Sequence, residues 1–328
     1  MAYFDLPLDQ LTAYRPELRA PDDLARFWSD TLAQARQHDV DVVLDPVPTG
    51  LRTVQVYDVT FRGFAGDPVK GWFVRPANDE VVPTVVEFVG YGGGRGLPHE
   101  RLAWASAGYG HLVMDSRGQG SGWGTGGGTG DPHGSGPHRP GFMTMGIEAP
   151  EHHYYRRLYT DGVRAVDAAR AIPGVDPEAI AVTGVSQGGG TTLAVAGLAD
   201  GLVAVMPDVP FMCQIDRAIT ITDAYPYREV VDYLHVHRQA EQRVLDTLAY
   251  LDAASIARSA SAPALFSVSL MDQTCPPSTV YAAFNHYGHP EGSEIDVFKY
   301  NGHEGGEGYR WPRQLAFLER VLRARPRG

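Results

Sequence analysis

The residues with the clearest chemical capacity lie in Gly184-Val185-Ser186-Gln187-Gly188. A serine hydroxyl is a poor nucleophile at neutral pH, so it needs a base to take its proton and a carboxylate to orient that base. The flanks supply the setting. Ile180, Val182 and Thr183 form a β-branched run ahead of the pentapeptide, and an Ala/Leu-rich stretch follows it to Leu198. This pattern predicts a strand, a sharp turn and a helix. In such an elbow the serine stands at the tip of a strained turn, beside the positive end of the next helix. Glycines flank it because side chains there would strike the neighbouring strand and helix. The chain contains no second G-x-S-x-G.

A hydrolase built on an elbow takes its acid and its histidine, in that order, from positions after the serine. Asp272 follows the apolar run 264–270 and leads into Pro276-Pro277-Ser278, which begins a helix. His303 follows the run 294–300, within Asn301-Gly302-His303-Glu304-Gly305-Gly306. Asp208 is a rival acid because it also follows a strand, whereas Asp296 sits within one. Asp272 is favoured because the next-to-last strand is the usual source of the acid in this architecture. Among the other histidines, His99, His111, His133, His138, His152 and His153 all precede Ser186. His235 and His237 fall in a predicted helix, and His286 and His289 lie beyond a helix rather than a strand.

Hydrolysis also needs donors for the oxyanion that develops on the attacked carbonyl. The backbone N–H of Gln187, directly after the nucleophile, is one. Tyr91, in the loop after the strand at 82–89, is chosen for the other. The glycines at 92–94 make no phosphate loop, since neither G-x-G-x-x-G nor G-K-[ST] follows a strand here. His152-His153 and the pair His133 and His138 lack zinc-site spacing, so no metal and no cofactor is expected.

The elements that must carry these groups can be read in order. Residues 1–20 look like an extended arm, and Pro21-Asp22-Asp23 starts a helix with apolar residues at Leu24, Phe27, Trp28, Leu32 and Ala35. The β-rich runs 53–61 and 69–75 read as an antiparallel pair at a sheet edge. From 82 onward, strands at 82–89, 111–114, near Ile180, and at 202–206, 264–270 and 294–300 alternate with helical segments. That alternation implies a mostly parallel sheet with helices on both faces, which binds ligands beyond the carboxyl ends of its strands. Two stretches interrupt it. Residues 118–146 are dense in Gly, Pro and His and must be loop, of a length that is usually functional. Residues 209–263 hold helical pieces, among them 228–240 and 241–252, and read as an insertion roofing the strand ends.

Composition sets outer bounds. A hydrophobic content of 43% with 20% charged residues is that of a folded globular chain. The net charge of −11 argues against nucleic acid or an anionic membrane as partner. The N-terminus lacks a basic segment followed by an apolar one, no run approaches membrane-span length, and the two cysteines, Cys213 and Cys275, form no C-x-x-C. These features predict a cytoplasmic protein with reduced thiols. No internal repeat is visible.

Four motifs in this order resemble those of the acetyl xylan esterase and cephalosporin C deacetylase family, carbohydrate esterase family 7. They are Asp115-Ser116-Arg117-Gly118-Gln119-Gly120-Ser121, the elbow with Gly189-Gly190, Leu270-Met271-Asp272 with Cys275-Pro276-Pro277-Ser278-Thr279, and the segment around His303. The likeness extends to Pro210-Phe211-Met212-Cys213 and Tyr154-Tyr155-Arg156-Arg157. It implies a single α/β-hydrolase domain over 1–328, with an N-terminal arm and helix over 1–50, an interface or active-site loop over about 117–146 and the helical insertion over about 209–262. It implies a serine esterase that removes acetyl groups from xylo-oligosaccharides and cephalosporins. It further implies intracellular residence and a hexamer whose active sites open to an internal cavity. Carried over, the triad is Ser186, Asp272 and His303, with Tyr91 and Gln187 at the oxyanion hole, while Arg117 and Gln119 pin a loop. The rivals sharing the elbow are a prolyl-oligopeptidase-like peptidase, which usually carries a propeller domain, and a dienelactone-type hydrolase, which usually has cysteine there. A non-catalytic protein retaining the fold is the rival of another kind.

Overall fold

The structure, a computed structural model, describes residues 3–134, 136–139 and 141–325 of the 328-residue chain. Ser135 and Pro140 of the predicted loop therefore lie outside the described residues. The chain enters through α1 (Leu8–Ala13) and α2 (Leu24–Ala35), then forms β1 (Val43–Pro46), β2 (Val54–Arg62), β3 (Pro68–Pro76) and β4 (Val82–Phe88). Next come α3 (Ala103–Ser106), β5 (Gly110–Met114), α4 (Tyr154–Ala171), β6 (Val175–Val185), α5 (Gln187–Leu198) and β7 (Leu202–Asp208). After α6 (Ile215–Ile221), α7 (Tyr227–Val236), α8 (Glu241–Ala249) and α9 (Ala253–Ile256), the chain closes with β8 (Leu265–Ser269), α10 (Pro277–His286), β9 (Glu294–Phe298) and α11 (Arg310–Ala324).

One nine-stranded sheet in the order β1-β2-β3-β5-β4-β6-β7-β8-β9 organises these elements. Strands β5, β4, β6, β7, β8 and β9 are parallel, as the alternation of strands and helices requires, while β1, β2 and β3 join antiparallel. The central strands are apolar on both faces because both are covered. Val86 and Phe88 of β4, with Ile180 and Val182 of β6, pack into the core shared with α2, α4, α5 and α10. Val85 and Ala181, one residue out of phase, meet Trp104 of α3 and Phe317 and Leu318 of α11 on the other side. Helix α5 is buried along most of its length, consistent with its lack of a polar face.

Two expectations are corrected. The predicted antiparallel pair forms, but β1 lies outside β2 and β3 pairs with β5, so neither is an edge strand. Strand β1 has four residues, none of them buried, and includes Asp45 and Pro46, so it offers no alternating pattern to detect. Residues 1–20 are not wholly extended, since α1 buries Leu11; six residues are too few to show a helical stripe. Within 209–263 only helices occur among the described residues, as expected. No helix of the described residues is long and apolar enough to cross a membrane.

The long loop is held by charge. Arg117 is fully buried; its Nε and Nη2 reach Asp161 of α4 at 2.5 and 2.9 Å, and its Nη1 meets Asp67 and Asp131 at 3.1 Å each. Burial alone would push its guanidinium down, but Asp161, Asp131 and Asp67 outweigh it and hold the group well above its usual range. Asp131 in turn accepts from Arg157 of α4, and Asp115 accepts from the N–H groups of Gly128 and Thr129. The loop is thus fixed at its start and middle by carboxylates rather than by a ladder. Removing one partner of a buried ion pair leaves an uncompensated charge, which costs about 3–5 kcal/mol. Arg117→Ala is accordingly expected to lower the urea-unfolding free energy by that amount; a loss within experimental error of zero contradicts the assigned role.

Candidate active site

Ser186 sits between β6 and α5 with φ 59° and ψ −118°, a left-handed conformation unusual for a residue with a side chain. Its N–H donates to the Asp208 carbonyl at 3.0 Å, and its own carbonyl accepts from Gly190 at 3.0 Å and Phe211 at 2.9 Å. The flanking glycines are required by contact. A Cβ on Gly184 would lie 2.4 Å from the Gly188 backbone, and one on Gly188 would lie 2.1 Å from the Phe88 carbonyl of β4. The elbow is therefore wedged between β4 and β7 with no room for larger residues.

His303 stands in the loop after β9 and bridges the two other predicted residues. Its Nε2 lies 2.9 Å from Ser186 Oγ and its Nδ1 lies 2.9 Å from Asp272 Oδ2. The carboxylate can only accept, so Nδ1 carries the proton and Nε2 is free to receive the serine proton. Asp272 is fully buried after β8, and its Oδ1 accepts from the N–H groups of Thr274 and Cys275 at 2.8 and 2.9 Å. The two loops are stitched together, because Leu270 N–H donates to the Phe298 carbonyl and Met271 N–H to that of Asn301. Glu304 accepts from Asn301 and from Gly302 N–H, which steadies the His303 turn.

The rival acids are occupied elsewhere. The Asp208 carboxylate accepts from Arg310 Nε at 2.7 Å and Gln314 Nε2 at 2.9 Å of α11; burial pushes its pKa up and Arg310 pulls it back. Asp296 pairs with Arg310 and Arg313. Several of the other histidines also have structural partners. His111 and His153 are buried, which pushes each imidazole down to about 3 and keeps it neutral, bonded to Glu87 and to the Met143 carbonyl respectively. His133 meets Asp67, and His286, which is the last residue of α10 rather than beyond it, meets the Pro16 carbonyl.

Of the two expected oxyanion positions, Gln187 directly follows the nucleophile and Tyr91 lines the same cavity. Gln187 is the first residue of α5, so its backbone N–H has no acceptor within the helix. Its side chain turns inward and is fully buried. There it pairs with Gln119: Gln119 Nε2 donates to Gln187 Oε1 at 2.7 Å and Gln187 Nε2 donates to Gln119 Oε1 at 3.1 Å. The remaining capacity of both amides is filled by Gly92 N–H, the Tyr155 and Tyr154 hydroxyls and the Val89 carbonyl. Gln119 thus pins a loop, as expected, and the loop it pins is that of Tyr91. Tyr91 lines a cavity of about 580 Å³ that also receives Ser186, His303, Trp123, Tyr225 and Pro226. Its carbonyl accepts from Trp123 Nε1 at 2.6 Å.

Sequence reasoning missed Glu229 of α7. Its carboxylate accepts from the Tyr91 hydroxyl at 2.7 Å and from Met143 N–H at 3.0 Å. The residue lies in a segment read only as a roofing helix, and no motif marks it. Cys275 also lies close: Asp272, Cys275 and His303 are the one group of three possible metal donors gathered among the described residues, with two of the three already bonded to each other. Cys213 and Cys275 are buried free thiols.

A mostly parallel sheet carrying a serine elbow, with an acid and then a histidine from later strand ends, defines an α/β-hydrolase with a Ser-His-Asp constellation. The chain belongs to the acetyl xylan esterase (AXE1) family, whose model matches residues 1–321. Among solved structures it is similar to the acetyl xylan esterase from Paenibacillus sp. R4, at 36% identity and TM-score 0.90, covering 96% of this chain and 99% of that one. It is also similar to acetyl xylan esterase 1 from Thermoanaerobacterium sp. JW/SL YS485, at 28% identity and TM-score 0.88 with the same coverage. The acetyl esterase Axe7A of Xylanibacter ruminicola is 25% identical over 307 residues, 86% of this chain; the match spans 63% of the length of that curated relative.

Burial pushes the Glu229 carboxyl from 4.5 up to about 7, against the opposing pull of its bonds from Tyr91 and Met143. A folded-state value above the unfolded one means that protonated Glu229 contributes stability below about pH 4.5, and that this contribution is lost as pH rises through about 7. Urea unfolding of the wild type between about pH 5 and 8 should show a falling component that Glu229→Gln lacks. Parallel pH profiles for the two proteins contradict the assignment.

Proposed function

We propose that this chain is a serine esterase that removes acetyl groups from small acetylated carbohydrates through an acetyl-enzyme. The observation that carries the reading is the His303 imidazole, 2.9 Å from Ser186 Oγ on one side and 2.9 Å from Asp272 on the other, at the wall of a cavity. Ser186 Oγ bonds to the acetyl carbon while its proton passes to His303 Nε2. The oxyanion is held by the N–H groups of Gln187 and Tyr91, helped by the positive end of α5. As the ester C–O bond breaks, His303 gives the proton to the leaving alkoxide and the alcohol departs. Water then attacks acetyl-Ser186, His303 takes its proton and returns it to Oγ, and acetate is released. Asp272 fixes the imidazole tautomer throughout and stabilises the imidazolium.

Family membership and the acetyl esterase and acetyl xylan esterase relatives support acetyl as the acyl group. A cavity of about 580 Å³ suits a small ester rather than a polymer. Cephalosporin-type acetyl esters are a further proposed substrate class of the same site. We extend the proposal to a single domain over 1–328, to a homohexamer in which the loop at about 117–146 helps form the interface, and to cytoplasmic residence, which two buried free thiols suit.

Acetate release from 4-nitrophenyl acetate and from acetylated xylo-oligosaccharides tests the core of this reading. Ser186→Ala should lower kcat on the order of 10⁴-fold or more, and a fluorophosphonate should label wild-type Ser186. Equal rates for the two proteins, or no adduct on Ser186, would overturn it.

A further inference from the structure

The stretch Gly90-Tyr91-Gly92-Gly93-Gly94 has to hold one N–H against a developing oxyanion, yet its glycines give it little stiffness of its own. Four anchors restrain it. Three grip backbone: Gln119 accepts from Gly92 N–H at 2.7 Å, the Gly92 carbonyl accepts from Gly122 N–H at 2.7 Å, and Trp123, itself 56% exposed, donates to the Tyr91 carbonyl. The fourth grips the side chain. The Tyr91 hydroxyl donates to Glu229 Oε1 at 2.7 Å and accepts from Phe142 N–H at 2.5 Å, while Glu229 Oε2 accepts from Met143 N–H.

This anchor is unlike an incidental contact. Glu229 is 4% exposed, and among the described residues no Arg, Lys or His stands within ion-pair distance of its carboxylate. Asp232, one turn along the same helix, adds repulsion rather than relief. Burying a carboxylate without a cation is costly, and an apolar residue would tie α7 to the body more cheaply. Room has been kept for it, since a Cβ on Gly141 would lie 2.1 Å from the carboxyl carbon. The Tyr91 ring is also braced edge-on by Phe142 and Phe211. Helix α7 begins just after Tyr225 and Pro226, which line the cavity, so one helix touches both the cavity wall and the oxyanion loop.

We infer that Glu229 is a positioning residue for the reaction, gripping the Tyr91 hydroxyl so that the Tyr91 backbone N–H stays aimed at the oxyanion beside Ser186. This rests on the esterase reading above. Glutamine at 229 keeps the shape but cannot accept both bonds, since one of its two terminal atoms only donates. Phenylalanine at 91 removes the hydroxyl that the anchor holds. An oxyanion donor that is lost outright costs about 10²–10³ in kcat, so one that is merely loosened should cost about tenfold.

The experiment compares wild type, Glu229→Gln, Tyr91→Phe and the double variant with 4-nitrophenyl acetate, with Ser186→Ala as the control. Ser186-dependent turnover by the wild type secures the esterase reading independently of the rest. Each single variant is then expected to lower kcat about tenfold with KM within about twofold, and the double variant to be no slower than the slower single. If Glu229→Gln does not fold, Tyr91→Phe alone carries the test through the same split between kcat and KM. Unchanged kcat in a folded single variant, a loss confined to KM, or losses that multiply in the double variant would overturn the positioning role while leaving the esterase reading in place.

Discussion

The site depends first on a residue held in a conformation it would not choose. A non-glycine residue with φ near 59° costs on the order of 1–3 kcal/mol and persists only where its surroundings over-determine it. At Ser186 they do. β7 takes its N–H through the Asp208 carbonyl, Phe211 N–H donates to its carbonyl, and the glycine contacts press the turn against β4. Three central strands thus determine where one hydroxyl points. That hydroxyl, on a half-buried residue, faces the cavity beyond the carboxyl ends of the strands.

The rest of the constellation is tied to the same strands by a second route. Asp208 serves twice: its carbonyl holds the elbow, and its carboxylate binds Arg310 and Gln314 of α11. Helix α11 follows the His303 turn, so the docking of the C-terminal helix and the pose of the nucleophile share one residue. On the other flank, the paired amides of Gln119 and Gln187 connect the first residue after the serine to the Tyr91 loop, with every donor and acceptor of both amides used. Fully satisfied buried networks of this kind are rigid and sensitive to loss of any member. The nucleophile, the base and the expected oxyanion donors are therefore located by one connected scaffold.

What could be read from the sequence follows from the range of each interaction. The elbow is local, so Gly184, Ser186 and Gly188 reveal it; the parallel sheet is visible because β4, β6 and β7 are covered on both faces and their central residues are mostly apolar. Asp272 and His303 were accessible through chain order, a topological constraint rather than a local one. Strand β1 escaped because an exposed four-residue edge has no pattern, and the misplacement of β2 and β3 at the edge followed from that omission. Glu229 escaped for a different reason: its partners, Tyr91 and Met143, are 138 and 86 residues away, and a glutamate in an amphipathic helix looks like a solvated one until the fold buries it. The pairing of Gln119 with Gln187, across 68 residues, was likewise invisible beyond its motif.

In the proposed reaction Ser186 itself carries the acyl group between the two half-reactions. Rapid quenching of the wild type with 4-nitrophenyl acetate, followed by peptide mass spectrometry, reads this directly. A single acetyl increment on the peptide containing Ser186, absent when the quench follows full turnover, is the predicted result. Acetate production with no acetyl on that peptide, or with the acetyl on another residue, would contradict it.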